Sequence, residues 1–320
     1  MGTRLFATRW FRRLLLGLSL YFVFCGIAGV FIADAALRPT RLELTEDDAR
    51  AARDSARALD ADFEDESITT PDGVVLRAWE LHPYHGNGDA VILLHGVANN
   101  RVGMTGYARL FLAHGFSVLM PDARAHGASG GTITSYGLVE RNDIRQWSDF
   151  LITHDHPRCI FGFGESMGAA QLLQSLAAGT HFCAVAAESS FANFREIAYD
   201  RMGQPFGLGP WFGRTLLRPV VEVAFLRARW KYGLNMDMVS PEDAVAATSV
   251  PVLLIHGQVD SNIPVRHSRR IHARNPMTRL WEVPGADHCG ALGTAPEEFE
   301  RRVVGWFVPR NANPATPKSE

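Results

Sequence analysis

Residues 159–170 read CIFGFGESMGAA: a short apolar run, a tight glycine turn carrying Ser166, and the opening of a helical pattern. A serine hydroxyl is a poor nucleophile at neutral pH. A catalytic one is therefore held exposed, beside a base, with backbone N–H donors aimed where an oxyanion forms. Gly164 and Gly168 stand two residues either side of Ser166, where a side chain would meet the adjoining strand and helix. This is the sequence form of a nucleophile elbow. Gly127, Ser129 and Gly131 repeat the GxSxG pattern, but Ser129 follows the polar stretch DARAHGAS and leads into TITSYG, which has no helical period. After Ser166, by contrast, Leu172, Leu173 and Leu176 fall on one helical stripe. Ser166 is placed on the elbow and Ser129 in a loop.

The chain has 320 residues, 47% of them apolar, so a large core is available. A net charge of −2, with only two lysines among 32 basic residues, argues against a nucleic-acid surface. Cys25, Cys159, Cys183 and Cys289 lack metal-ligand spacing. They do not suggest a disulfide framework, and a single bridge between Cys159 and Cys183 stays open.

Leu14 to Ala33 runs twenty residues without a charge, and as a helix rising about 1.5 Å per residue it would cross roughly 30 Å of hydrocarbon. We read 14–33 as a transmembrane anchor. Arg4, Arg9, Arg12 and Arg13 precede it and no acid lies before Asp34, which leaves residues 1–13 cytoplasmic and the rest of the chain extracytoplasmic. The competing reading is a secreted protein freed by signal cleavage at Ala33-Asp34-Ala35. Residues 34–66 read as a charged connector, with Thr45 capping a helix through Ala58. Residues 67–310 form the catalytic domain, which opens on a hairpin over 68–81 turning at Pro71-Asp72-Gly73, and 311–320 is a loose tail.

Short apolar runs at 90–94, 116–120, 159–163, 184–187, 252–255 and 280–283 read as buried strands, most of them separated by helical patterns. Repeated units of this kind predict an α/β fold: a mostly parallel sheet with helices on both faces and the site at the carboxyl ends of the strands. After the first of these strands comes His95-Gly96-Val97, where the Val97 N–H can join that of Met167 as an oxyanion donor. His95 itself is read as a loop histidine that fixes the turn. Asp122 and His126 would lie on one local loop and are taken as architecture, as are Gly137, Glu140 and Asp143. His154-Asp155-His156 sits at the wrong sheet edge for the site and is read as a solvated loop rather than a metal pair.

Two later strand ends carry an acid and a base. Asp260 follows the strand over 252–255, and His288 follows the one over 280–283. Ser166, Asp260 and His288 then form a catalytic triad in the order nucleophile, acid, base. Asp287 cannot easily orient its own neighbour, so Glu188, at another strand end, is the rival acid. In such a site His288 takes the Ser166 proton, Asp260 holds the imidazole, and the Val97 and Met167 N–H groups hold the oxyanion. The scheme calls for no metal and no organic cofactor.

At LLHGVANNR, PDARAHGASGG, SYGLVERNDI, GFGESMGAA, SPEDAVAATSVPVLLIHGQVDSNIP and VPGADH the chain resembles the α/β-hydrolase superfamily. It is most similar to the serine-aminopeptidase-like branch, which includes bacterial hydrolases with a membrane-anchored N-terminus. The resemblance covers about 67–308 and implies the α/β-hydrolase fold. Residues 191–247, between the sixth and seventh strands, are too long for a simple crossover and are expected to fold as a cap whose aromatics choose the substrate. The function expected is a serine hydrolase cleaving carboxylic esters of a small-molecule or acyl substrate. The alternatives are a peptidase or acyl thioesterase of the same fold, or a non-catalytic membrane-anchored relative.

Overall fold

In the computed structural model the described residues are 2–308, with side chains described from Arg9 onward. The tail expected at 311–320 lies outside them. Helices are α1 (Gly2–Leu37), α2 (Glu46–Ala58), α3 (Thr105–Ala113), α4 (Glu140–His154), α5 (Met167–Ser175), α6 (Phe194–Gly203), α7 (Pro210–Arg214), α8 (Arg218–Tyr232), α9 (Pro241–Ala246), α10 (Arg266–Arg274), α11 (Ala291–Thr294) and α12 (Pro296–Phe307). Strands are β1 (Ala61–Thr69), β2 (Val75–Pro83), β3 (Ala90–Leu94), β4 (Ser117–Pro121), β5 (Ile160–Glu165), β6 (Phe182–Glu188), β7 (Val252–Gly257) and β8 (Arg279–Val283). The chain divides into two compact units: one runs from Pro39 to Ala192 and resumes at Val239, and the other joins the segment up to Arg38 with Asn193–Met238.

The larger unit holds a single sheet in the order β1-β2-β4-β3-β5-β6-β7-β8. β1 and β2 pair antiparallel and β2 pairs antiparallel with β4, whereas every pair from β4 to β8 is parallel. Two-residue periodicity sorts β3 between the two faces: Val91 and Leu93 join Phe111, Phe299 and Phe307, while Ala90, Ile92 and Leu94 join Trp147, Leu172 and Ile271. Burial on both faces is why such a strand reads as an unbroken apolar run.

The stretch expected as a connector over 34–66 supplies a core helix and the first strand of the sheet. Thr45 does cap α2, accepting from the Asp48 N–H at 3.1 Å while Asp48 accepts from the Thr45 N–H at 2.9 Å. But Ala52 and Ala56 are buried in the core, and the sheet begins at Ala61 rather than inside the expected hairpin at 68. β1, ADFEDESIT, is an edge strand with little apolar alternation, so its sequence does not announce it. Cys159 and Cys183 are bridged, with a Cα–Cα distance of 5.8 Å, at the amino ends of β5 and β6.

The smaller unit contains α1, α6, α7 and α8. Cys25, Gly29, Ala33 and Leu37 make a buried stripe at four-residue spacing along α1. At Gly29 a Cβ would stand 2.6 Å from the Val220 carbonyl oxygen and 2.7 Å from Val223 Cβ, so only glycine permits this approach to α8. Asp34 accepts from Arg227 Nη2 at 3.0 Å, Lys231 Nζ at 2.9 Å and the Tyr232 hydroxyl at 2.9 Å. The opposite face of α1, including Phe22, Phe24, Ile27 and Phe31, is exposed.

Candidate active site

Ser166 sits between the end of β5 and the first turn of α5 with φ 52° and ψ −113°, a strained conformation for a residue with a side chain. The turn is pinned by the Ser166 N–H, which donates to the Glu188 carbonyl oxygen at 2.8 Å. A Cβ at Gly168 would fall 2.3 Å from the Leu94 carbonyl oxygen, and one at Gly164 would fall 2.7 Å from the Gly168 carbonyl carbon. Both glycines are therefore required by the crossing of β5, α5 and the end of β3.

The loop after β8 brings His288 Nε2 to 2.9 Å from Ser166 Oγ. The loop after β7 sets the Asp260 carboxylate at 2.9 and 3.1 Å from His288 Nδ1. An ionised carboxylate only accepts, so Nδ1 carries the hydrogen and Nε2 is left to accept from the serine hydroxyl. Burial by itself would raise the Asp260 carboxyl, but bonds from His256, His288 and the Ile263 N–H outweigh it and hold the group well below the usual carboxylate range. The Ile263 and Asn262 N–H groups donate to its Oδ1 at 2.7 and 2.9 Å, and His256 Nε2 stands 3.3 Å from its Oδ2. Asp287 does not touch the imidazole. It accepts from the Ser261 N–H and from the His288 N–H, both at 2.8 Å, and so ties the two loops together.

Met167 opens α5, where a first-turn N–H has no intrahelical acceptor. Gly96 abuts Ser166, since a Cβ there would lie 3.6 Å from Ser166 Cβ, and Val97 follows in the turn. His95 is wholly buried; its Nδ1–H donates to the Gly96 carbonyl oxygen at 2.7 Å and its Nε2 accepts from the Ala123 N–H at 3.1 Å.

The remaining candidates are occupied elsewhere. Glu188 accepts from the Ala291 N–H at 2.8 Å and from the Tyr107 hydroxyl at 3.2 Å, not from His288. Asp122 is bound to Arg101 at 2.8 Å, Asp143 is paired with Arg124, and Glu140 accepts from the Ser135 and Gly137 N–H groups at 2.7 and 2.8 Å. Ser129 Oγ donates to the Asp122 carbonyl oxygen at 2.7 Å and accepts from the Arg77 N–H at 2.9 Å. Sequence reasoning passed over Glu165 and Tyr107, whose contacts join distant segments, and His256, which meets Asp260 four residues on because the loop after β7 folds back over it.

Away from Ser166 and its partners, Glu80, His82 and Asp155 bring ligand-capable atoms within 4.8 Å of one another. Glu80 is buried, and burial together with its bond to Asp155 pushes the carboxyl up to about 9. A proton therefore suffices to neutralise it at neutral pH.

The profile of the alpha/beta hydrolase family matches residues 91–302. The chain belongs to the alpha/beta hydrolase family. This hydrolase is 31% identical over 251 residues to the uncharacterized protein YqkD of Bacillus subtilis, covering 76% of this chain and 78% of the relative. It is 27% identical to the uncharacterized protein YfhR of Escherichia coli K12, covering 77% and 81% respectively. Among solved structures, the Pyrococcus furiosus esterase Pf2001 superposes with a TM-score of 0.65 at 25% identity, over 84% of this chain and 97% of that one.

Proposed function

We propose that this hydrolase cleaves carboxylic esters through an acyl-enzyme on Ser166. The observation that carries the reading is the continuous path from Ser166 Oγ to His288 Nε2, at 2.9 Å, and from Nδ1 to Asp260, at 2.9 Å. In this scheme His288 removes the hydroxyl proton as Ser166 attacks the carbonyl, and Asp260 stabilises the imidazolium. The N–H groups of Met167 and Val97 hold the oxyanion, His288 protonates the leaving alcohol, and water repeats the sequence on the acyl group. The likeness to a solved esterase supports an ester over an amide. Substrate choice is assigned to the 191–247 insertion, and the serine-aminopeptidase-like branch remains part of the same proposal. Fluorophosphonate labelling tests it: label on Ser166 that disappears in Ser166→Ala is expected, and an unlabelled wild type refutes it. A panel of p-nitrophenyl esters, acyl thioesters and aminoacyl amides ranks the substrate class.

The same reading keeps α1 as a membrane anchor with the catalytic domain extracytoplasmic. Its support is twofold. A helix that contributes a buried stripe, a glycine contact and a three-partner carboxylate to a folded unit is a structural part rather than a disposable leader. A disulfide also suits an oxidising compartment. Mass spectrometry of protein recovered from membranes should find the segment before Asp34 intact; a mature chain beginning near Asp34 refutes retention.

A further inference from the structure

Two buried groups, Tyr107 and Glu188, and the partly buried Glu165 lie beside the triad and take no part in the catalytic scheme. Tyr107, on α3, directs its hydroxyl at two carboxylates, Glu188 at 3.2 Å and Glu165 at 3.4 Å. Each carboxylate belongs to a segment that builds the site. Glu165 directly precedes Ser166, and its carboxylate accepts the backbone N–H of Gly96, the residue before Val97. Glu188 closes β6; its carbonyl oxygen accepts the Ser166 N–H at 2.8 Å, and its carboxylate accepts the Ala291 N–H at 2.8 Å, three residues beyond His288. A further bond, from the Cys289 N–H to Ser189 Oγ at 3.2 Å, fastens the same loop to the end of the same strand.

We infer that Glu165, Tyr107 and Glu188 form a positioning network that locks the oxyanion loop at Gly96 and the base loop at His288 onto the turn that carries Ser166. None of the three touches the reacting atoms in this scheme. The Tyr107 ring is held 4.5 Å from that of Phe163 on β5 and 5.8 Å from that of Phe299 on α12, so the hydroxyl is fixed from the core. One phenolic hydrogen cannot serve two acceptors fully. The groups facing Glu188 are Glu165, Tyr107, Asp260 and the Cys289 thiol, and those facing Glu165 are Tyr107, Glu188, Cys289 and His288. Burial with the neighbouring Glu165 charge pushes Glu188 up to about 7, and burial likewise raises Glu165. Both shifts run toward the protonated form, the direction that favours a second hydrogen within the network.

The inference rests on Ser166 being the nucleophile, and its test separates the two claims. Tyr107→Phe removes one hydroxyl from a packed ring, and Glu165→Gln removes the charge while keeping an acceptor for the Gly96 N–H. With the full-length protein and a p-nitrophenyl ester, Tyr107→Phe is expected to lower kcat about tenfold or more with KM within about twofold, because misplacement of donors affects the transition state rather than binding. Glu165→Gln should lower kcat in the same way, again with KM within about twofold. Glu165→Asp restores a carboxylate and should recover part of the lost kcat, a rescue that a loss of packing alone does not give. Wild-type turnover together with unchanged kcat in both Tyr107→Phe and Glu165→Gln overturns the network alone. A wild type that neither turns over nor labels at Ser166 overturns the hydrolase reading itself.

Discussion

His288 Nδ1 lies 2.9 Å from Asp260 Oδ2, while the same carboxylate collects the N–H groups of Asn262 and Ile263 on its other oxygen. The acid is thus fixed by its own loop before it fixes the imidazole. Asp260→Asn keeps the shape but presents an amide where His288 needs an acceptor, favouring the wrong tautomer. A fall in kcat of about 10³-fold or more is expected in protein that remains folded. Ester turnover beside a melting curve checks it, and a variant within tenfold of wild type would show that another acid serves His288.

His95 predicts acid sensitivity. Burial, with His126 alongside, pushes its imidazole down to about 4 from 6.5. The folded value lies below the unfolded one, so protons favour the unfolded chain. The contribution of His95 to stability is complete above pH 6.5 and is lost as pH falls toward 4, by on the order of 3 kcal/mol. Urea midpoints at pH 7.5 and 4.5 should differ less in His95→Gln than in the wild type. Equal differences would mean that other groups account for the acid loss.

Glu80 predicts the opposite trend. Its carboxyl is pushed up to about 9 from 4.5 by burial and by Asp155, with Glu64 and Glu66 on the same sheet face. Here protons favour the folded chain, so the Glu80 contribution is present below pH 4.5 and is lost as pH rises through 9. Glu80→Gln presents a neutral amide to Asp155, and its melting temperature at pH 8 should exceed that of the wild type by about 3 °C or more, with the gap closing at pH 4.5. A gap that does not depend on pH would remove ionisation as the cause.

The Cys159–Cys183 bridge spans a sequence separation of 24 residues. Closing a loop of that size restricts the unfolded chain by about 3 kcal/mol, so reductant should lower the melting temperature by roughly 5–10 °C. Cys183 is exposed, which gives reductant access. The Cys183→Ser variant should melt at the lower temperature and ignore reductant. Wild type that ignores reductant would show that the bridge adds no stability.

The parts of this protein visible in its amino acids are those with a local cause. The Ser166 turn was legible because glycines stand where β5 meets α5 and because the apolar period changes from strand to helix within a few residues. Asp260 and His288 could be placed at strand ends because each follows an apolar run, the one in β7 buried on both faces and the one in the edge strand β8 burying Trp281 and Val283. The alpha/beta fold follows from the same alternation of runs.

What only the tertiary structure decided has no local cause. β1 is a strand because β2 offers it a full hydrogen-bonding partner, although ADFEDESIT carries few apolar residues. The Cys159–Cys183 bridge exists because adjacent parallel strands bring together two residues that the intervening helix separates in sequence. Tyr107 reaches Glu165 and Glu188 across 58 and 81 residues, and Asp34 meets Arg227 across 193. Such pairs leave no periodic trace, because each partner is specified by its place in the packed fold and not by its neighbours in the chain.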